Sequence, residues 1–415
     1  MSAGPAPKMN PTHYGYFDFA TCVRYAIVHS DEFLRNRIDI QIATSQLKDA
    51  HSEILPTLTL VTTYYLVRTS DFANDRSPWR VNVYMSDWNP YLALLKIKSR
   101  KIMVDLAKTI HYDKLSLGTS ELAKIFYRIH LLEKQIRAQK QLVALMRKKV
   151  DYGKSRTAQG SEDPLQERAW SNELRQSEYD LKDLTRKRES LISQLKLIMG
   201  YHPDYYLPLD TRNAANQILM GFGGQNISFA DIQGNNLTLK TLAKYEQLQS
   251  NAITGAYVSL LPQPSLIFEG IGNEVDRTSG VNVSIGFSYT LWDGFRRVRN
   301  IKLQKLKYRK AKIDRRKKSR ELYNAYRDLI ASLELHGYKE AILRERSKLT
   351  ELSEERAYMN YKSGGIPYSD YIQQRINKIK TSMALTQALS KRVFENIDLA
   401  TLAGGLSRYH AQLKF

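Results

Sequence analysis

Long apolar runs are missing from this sequence. No stretch of its 415 residues approaches the roughly 18 consecutive apolar positions of a transmembrane helix. That absence says nothing of β-barrel strands, whose alternation leaves a far weaker hydropathy trace. Cysteine is nearly absent too. Cys22 stands alone, which excludes an intramolecular disulfide and a thiolate metal cluster, and its neighbours "FDFATCVRYA" read as helix. The first residues, "MSAGPAPKMNPTHYG", lack the basic, apolar and small-residue regions of a secretion signal. The expectation is either an intracellular protein or a processed or engineered start. Catalytic signatures are missing as well: there is no HExxH, no Walker A loop and no GxSxG elbow. The 8 histidines are scattered without paired spacing, and "GFGG" at 221–224 is too short for a dinucleotide fingerprint and reads as a loop. No enzyme, cofactor or metal is expected.

Acidic residues are scarce relative to basic ones. There are 42 Asp or Glu against 63 Lys or Arg, a net charge of +21. Residues 296–320, "RRVRNIKLQKLKYRKAKIDRRKKSR", hold 14 Lys or Arg among 25. Such a run marks a solvated face, an anionic membrane surface or a nucleic-acid contact, and does not choose among them. At 42% hydrophobic and 25% charged, the composition is that of a folded chain rather than a disordered one.

What is present is a duplication. Each half opens with an amphipathic helix, at 17–54 and 237–260, and runs into a leucine and a proline, "EILPTLTLV" and "SLLPQPSLIF". Two β-like segments follow in each half, then a very long helix, a Gly-containing break and a second helix. The second helices end alike, in "LKLIMGY" and "LATLAGGL". The expected organisation is a flexible segment 1–15, a first repeat 16–200, a linker rich in Gly and Asn at 201–236, a second repeat 237–406 and a tail 407–415.

The strand signal is strongest in "GVNVSIGFSYTLW". There Val281, Val283, Ile285, Phe287, Tyr289 and Leu291 alternate with small or polar residues, a period-two pattern long enough to cross a bilayer. Strands are expected at 57–67, 79–88, 265–275 and 280–292, with Trp79, Trp88 and Trp292 at their ends, where interfacial aromatics belong. Helix is expected without interruption from about Tyr91 to Tyr152 and from Gly294 to Met359, with Gly337 as the one interruption in the second. Leu322, Tyr326, Leu329 and Leu333 follow the 4-3-4 spacing of a coiled-coil seam. Four strands are too few to close a barrel, and hydrocarbon does not tolerate an open edge, so several chains must combine. A soluble basic coiled-coil scaffold, or a nucleic-acid-binding helical protein using 296–320, is the alternative, but it predicts no alternating strands.

"YKSGGIPYSDYIQQ", 361–374, breaks the second long helix. Gly364 and Gly365 end it, Pro367 blocks continuation, and Ser369 and Asp370 are expected to satisfy the amides of the next helix. This is the sequence of a helical hairpin tip.

Taken together these residues resemble the TolC family, the trimeric outer-membrane channels of bacterial efflux and type I secretion. The resemblance covers about Tyr16 to Leu406. Its most specific pieces are the strand-to-helix junction "SYTLWDGFRRVRN", with Asp293, Gly294 and Arg296, and a tip carrying Tyr361, Gly364 and Asp370. It implies a mainly α fold with membrane strands: duplicated long-helix hairpins and four strands per chain, three chains forming a 12-stranded barrel continued by an α-helical barrel, girdled near 201–236. It also implies a passive exit duct in the outer membrane, a periplasmic adaptor and an inner-membrane transporter as partners, contact with outer-membrane lipid and no nucleic acid. The implied entrance residues are Asp370, Tyr361, Gly364, Gly365 and Gln373, with Asp370 forming a ring of three carboxylates or, failing that, capping its helix. At the first tip they are Tyr152, Gly153 and Asp163. The sequence departs from the family pattern in its net charge of +21, atypical for what is often a cation-attracting tunnel, and in three local places. "SDWNPYLALL" at 86–95 lacks the junction glycines. The first tip, 151–164, is longer than the second by about four residues. Gln373 replaces a second aspartate found in some members.

Overall fold

The computed structural model describes residues 16–55, 57–62, 79–85, 90–161, 163–222, 227–273 and 278–404. The elements run α1 (Phe19–His29), α2 (Asp31–Ser52), β1 (Thr57–Thr62), β2 (Trp79–Met85), α3 (Pro90–Ala158), α4 (Pro164–Met199), α5 (Ala214–Phe222), α6 (Phe229–Asn235), α7 (Leu237–Val258), β3 (Gln263–Asn273), β4 (Thr278–Ser288), α8 (Arg296–Lys362) and α9 (Tyr368–Leu402). The order α2-β1-β2-α3-α4 is repeated as α7-β3-β4-α8-α9, as the duplication requires. The chain is mainly long helix with few strands. Its contacts define two units, one drawn from residues up to Arg35, Tyr112–Asn236 and Glu321 onward, the other from Asn36–His111 and Leu237–Arg320.

The second unit contains the sheet. Its order is β1-β2-β3-β4, every neighbour antiparallel, with Thr57 opposite Tyr84, Val83 opposite Phe268 and Leu266 opposite Ile285. Thus 57–62 and 79–85 carry the first two expected strands, and 63–67 and 86–88 lie outside the described residues. β3 and β4 occupy 263–273 and 278–288: the fourth strand ends at Ser288, short of the expected 292, because 289–292 already turn toward α8, and 274–275 lie outside the described residues. Among the described residues, β1 and β4 each pair on one edge only. The alternating apolar row of β4 is uncovered: Val283 is 57%, Ile285 69% and Phe287 73% exposed.

The first unit is built on two helical hairpins, α3–α4 and α8–α9. Its largest core joins α1, the middle of α3, the end of α4, the segment after Tyr201 and the end of α9, around Phe19, Leu122, Phe126, Leu195, Met199, Ile218 and Ile397. A smaller cluster of Leu142, Leu145, Met146, Ile372 and Ile376 binds the two hairpins to each other. The expected seam on α8 is found in part: Leu322 is buried and Tyr326 and Leu333 pack on the cluster of Ile232 and Leu399, where Ile330 stands in place of the expected Leu329.

Three expectations are corrected. The helix expected at 17–54 is two helices, broken at Ser30, whose carbonyl accepts the first amide bond of α2 from Leu34 at 3.0 Å. The break lies where Gly200, in the left-handed region at φ 68°, approaches so closely that a β-carbon there would stand 2.3 Å from the His29 carbonyl oxygen. Segment 201–236 is not only linker: it carries α5 and α6, and Gly221 and Phe222 of the expected "GFGG" loop end α5. Gly337 does not interrupt α8, which is continuous across it.

Candidate functional site

Two local structures carry the candidate residues: the strand-to-helix junction and the hairpin turns.

At the junction Asp293 is the helix cap. Its carboxylate oxygens accept the Arg296 amide at 3.1 Å and the Arg297 amide at 3.0 Å, filling two of the donors every helix start leaves open. These bonds, led by the Arg297 amide, hold the carboxyl below the usual carboxylate range. Gly294 and Phe295 follow in left-handed backbone at φ 63° and 62°, which turns the chain from strand to helix. For Phe295 that conformation costs roughly 1–2 kcal/mol, partly offset by edge-on contact with Trp292 at 4.9 Å. The arginine that works here is Arg297, not the expected Arg296, which contributes its amide. The Arg297 guanidinium meets Asp293 at 3.2 Å and donates to the Thr290 carbonyl at 2.8 Å and the Ser259 carbonyl at 3.3 Å. It therefore ties the ends of β4 and α7 to the start of α8.

Both hairpins turn by one device. At the second, the Gly364 amide bonds Tyr361 O at 3.1 Å and the Gly365 amide bonds Asn360 O at 2.8 Å, with Gly364 at φ 77°. At the first, Gly160 bonds Thr157 O at 2.9 Å and Ser161 bonds Arg156 O at 3.0 Å, with Gly160 at φ 71°. This paired bonding around a left-handed glycine is the Schellman cap. Each connection has five residues, 159–163 and 363–367, so the first tip is not longer: its extra residues extend α3. Tyr152 and Gly153 accordingly lie inside α3, and Gly160 is the turning glycine. Asp163 is the cap of α4, accepting the Leu165 amide at 2.9 Å, with Pro164 in the first turn.

The expected cap of α9 is absent. Pro367 holds that position with no side-chain bond, and Asp370 sits in the first turn, exposed. Asp370 instead lies close enough to Lys149 of α3 to favour its charge. Lys149, unforeseen from sequence, is 5% exposed and donates to Gln373 at 2.8 Å. It lies 3.9 Å from Glu173 and 4.8 Å from the Trp170 ring. Burial pulls its ammonium below the ordinary lysine range, against Glu173 and Asp370. Gly153 explains how Trp170 reaches this place, because a β-carbon there would stand 2.8 Å from the ring.

Tyrosines complete the assembly. Tyr361 stacks on Tyr371 at 5.6 Å and meets Tyr368 at 5.4 Å, and Tyr368 meets Tyr152 of the first hairpin at 5.5 Å. The structure thus brings Tyr152, Tyr361, Asp370 and Gln373 into one neighbourhood, beside a cleft of about 570 Å³ between α8 and α9 lined by Arg356, Asn360, Asp370 and Gln373. Gly364 and Gly365 shape the turn. Among the described residues no group of His, Cys, Asp and Glu is suited to a metal.

No protein-family model matches the sequence, and no curated protein does. Solved structures match nearly all of it. CusC, described with the conformational changes of transmembrane channel formation, is 12% identical over 95% of this chain and 94% of its own, at TM-score 0.79. The Campylobacter jejuni CmeC outer membrane channel is 13% identical over 93% and 85%, at 0.77. The open state of the Neisseria gonorrhoeae MtrE outer membrane channel is 12% identical over 93% and 88%, at 0.78. The chain has the fold of the TolC-family outer-membrane channels. At such identities the likeness lies in the backbone path, so each candidate side chain rests on its own contacts in this chain.

Proposed function

We propose that this protein is an outer-membrane channel, the exit duct of a tripartite efflux or type I secretion system, passively conducting solutes delivered by an inner-membrane pump through a periplasmic adaptor. The observation that carries the reading is the uncovered apolar row of β4, in a sheet with two open edges. No helix of the described residues is long and apolar enough to cross a membrane, so the strands are the elements available to do so. A row of Val283, Ile285 and Phe287 left outside any core suits hydrocarbon, where an open edge is not tolerated. A soluble coiled-coil scaffold calls for neither feature.

Copy number follows from size. Two chains would give eight strands, an interior that side chains fill. Three give twelve, the smallest closed barrel of whole chains that leaves a conduit. A second uncovered stripe supports association: Leu335, Tyr338, Ile342, Leu349, Leu352 and Met359 of α8 recur at 3-4 spacing or its multiples, each more than half exposed. In the trimer these stripes pack on neighbouring copies and the long helices form a barrel on the periplasmic side. The hairpin turns form its entrance, where Asp370 contributes a ring of three carboxylates. The test is mass measurement of the detergent-solubilised complex together with conductance in planar bilayers. A trimer that conducts is expected; a monomer or dimer, or a trimer that never conducts, overturns the proposal.

A further inference from the structure

The run 296–320 carries 14 basic residues and one acid, Asp314, so 25 residues supply more than half of the net charge of +21. The helix sorts those charges by face. Ile301, Gln304, Tyr308 and Ala311 are buried or half-buried, and this side packs toward α7: the Tyr308 hydroxyl meets Glu246 at 3.3 Å and Arg315 meets it at 3.0 Å. The opposite side presents Leu303, Leu306 and Ile313, about half exposed and at heptad spacing, the pattern of a helix with a second neighbour. Two faces remain between these seams. One is mixed, with Asn300, Lys307 and Asp314. The other carries Lys302, Lys305, Arg309, Lys312 and Arg316, five exposed cations at 3-4-3-4 spacing with no acid among them. Lys305 lies 5.3 Å from the Tyr257 ring, and the other four pair with no acidic residue among the described residues.

Two surfaces could use such a strip, lipid headgroups or the wall of a conduit. Headgroup layers are about 5–8 Å thick on each side of the hydrocarbon. At about 1.5 Å rise per residue, Lys302 lies roughly 9 Å and Arg316 roughly 30 Å along the axis from Arg296. Headgroups therefore reach Arg296, Arg297 and Arg299, and most of the strip lies beyond them. Solvated outer faces intersperse both signs, as the Lys307 and Asp314 face does. A single-sign face suits a confined wall, where low-dielectric surroundings focus the field and rings of Lys or Arg select anions.

We infer that the Lys302–Arg316 strip lines the conduit and that the channel takes anionic solutes. This rests on the channel reading above. The experiment is reconstitution of the full chain in planar bilayers under a potassium chloride gradient, with inorganic triphosphate as a blocking probe. A chloride-to-potassium permeability ratio above one and block by triphosphate are expected. Changing the five residues to Gln should bring the ratio toward one and weaken block at least tenfold, and changing them to Glu should carry it below one. Lys307→Gln, on the mixed face, should leave both unchanged, and trimer mass and helicity check that each variant folds. A conducting channel whose ratio ignores the five substitutions overturns the inference while the channel reading stands. If the Gln variant instead loses binding to anionic vesicles and keeps its selectivity, the strip is a membrane contact and the inference is equally overturned. A trimer that never conducts takes the channel reading down first.

Discussion

Two glycines in long helices should respond oppositely to one substitution. Replacing a helical Gly by Ala gains about 1 kcal/mol of intrinsic helix propensity. At Gly337, in α8, a β-carbon meets nothing within 4 Å, so the gain stands. At Gly153, in α3, it would stand 2.8 Å from both Cε3 and Cζ3 of Trp170. The indole is 5% exposed and lies under the Lys149 ammonium, so it does not yield without disturbing that contact. Overpacking of this kind costs about 1–3 kcal/mol. Gly337→Ala should therefore gain about 1 kcal/mol and Gly153→Ala should lose about 1 kcal/mol. Urea unfolding of the solubilised protein, followed by far-ultraviolet circular dichroism and tryptophan fluorescence, gives the order. Gly153→Ala proving as stable as Gly337→Ala would mean that α3 and α4 do not pack through Trp170, and the account of the Lys149 neighbourhood would fail with it.

The depressed Lys149 gives a sign for alkaline pH. The folded state binds fewer protons than the unfolded one between its lowered pKa and the ordinary lysine value of 10.5, so stability rises with pH through that window. Lys149→Met should flatten the rise, and an unchanged slope in urea titrations across alkaline pH would refute the assignment. Asp370→Asn should alter helix stability by no more than about 1 kcal/mol, since Asp370 caps nothing and its partners are the helix dipole and the nearby Lys149 charge. The same variant should weaken block of the channel by divalent cations, and unchanged block would remove the carboxylate ring. Val283→Arg, on the uncovered row of β4, should cost about 2–4 kcal/mol if that row meets mid-bilayer lipid, whereas Ser284→Arg on the opposite face should assemble normally. Equal membrane assembly of the two would contradict the lipid-facing assignment.

What the sequence determined by itself was local. Period two in 281–288 is a strand because alternate side chains leave opposite faces, and Gly364 ends a helix because a left-handed residue carries the least strain without a β-carbon. The duplication fixed the order of elements, and the long helices needed only the absence of proline. The tertiary structure decided everything that depends on distant partners. Lys149 reads as one more cation in a basic helix until Gln373, 224 residues away, accepts a hydrogen bond from its ammonium at 2.8 Å. Gly153 looks like a turn residue until Trp170 lies against it, and the break at Ser30 has no cause until Gly200 arrives beside His29. Arg296 and Arg297 are indistinguishable as letters; only the geometry of the Asp293 turn sends the second toward the Thr290 and Ser259 carbonyls. The reason is the same in each case. Backbone preference is a property of a few neighbouring residues, whereas burial and pairing belong to contacts that exist only once remote segments have met.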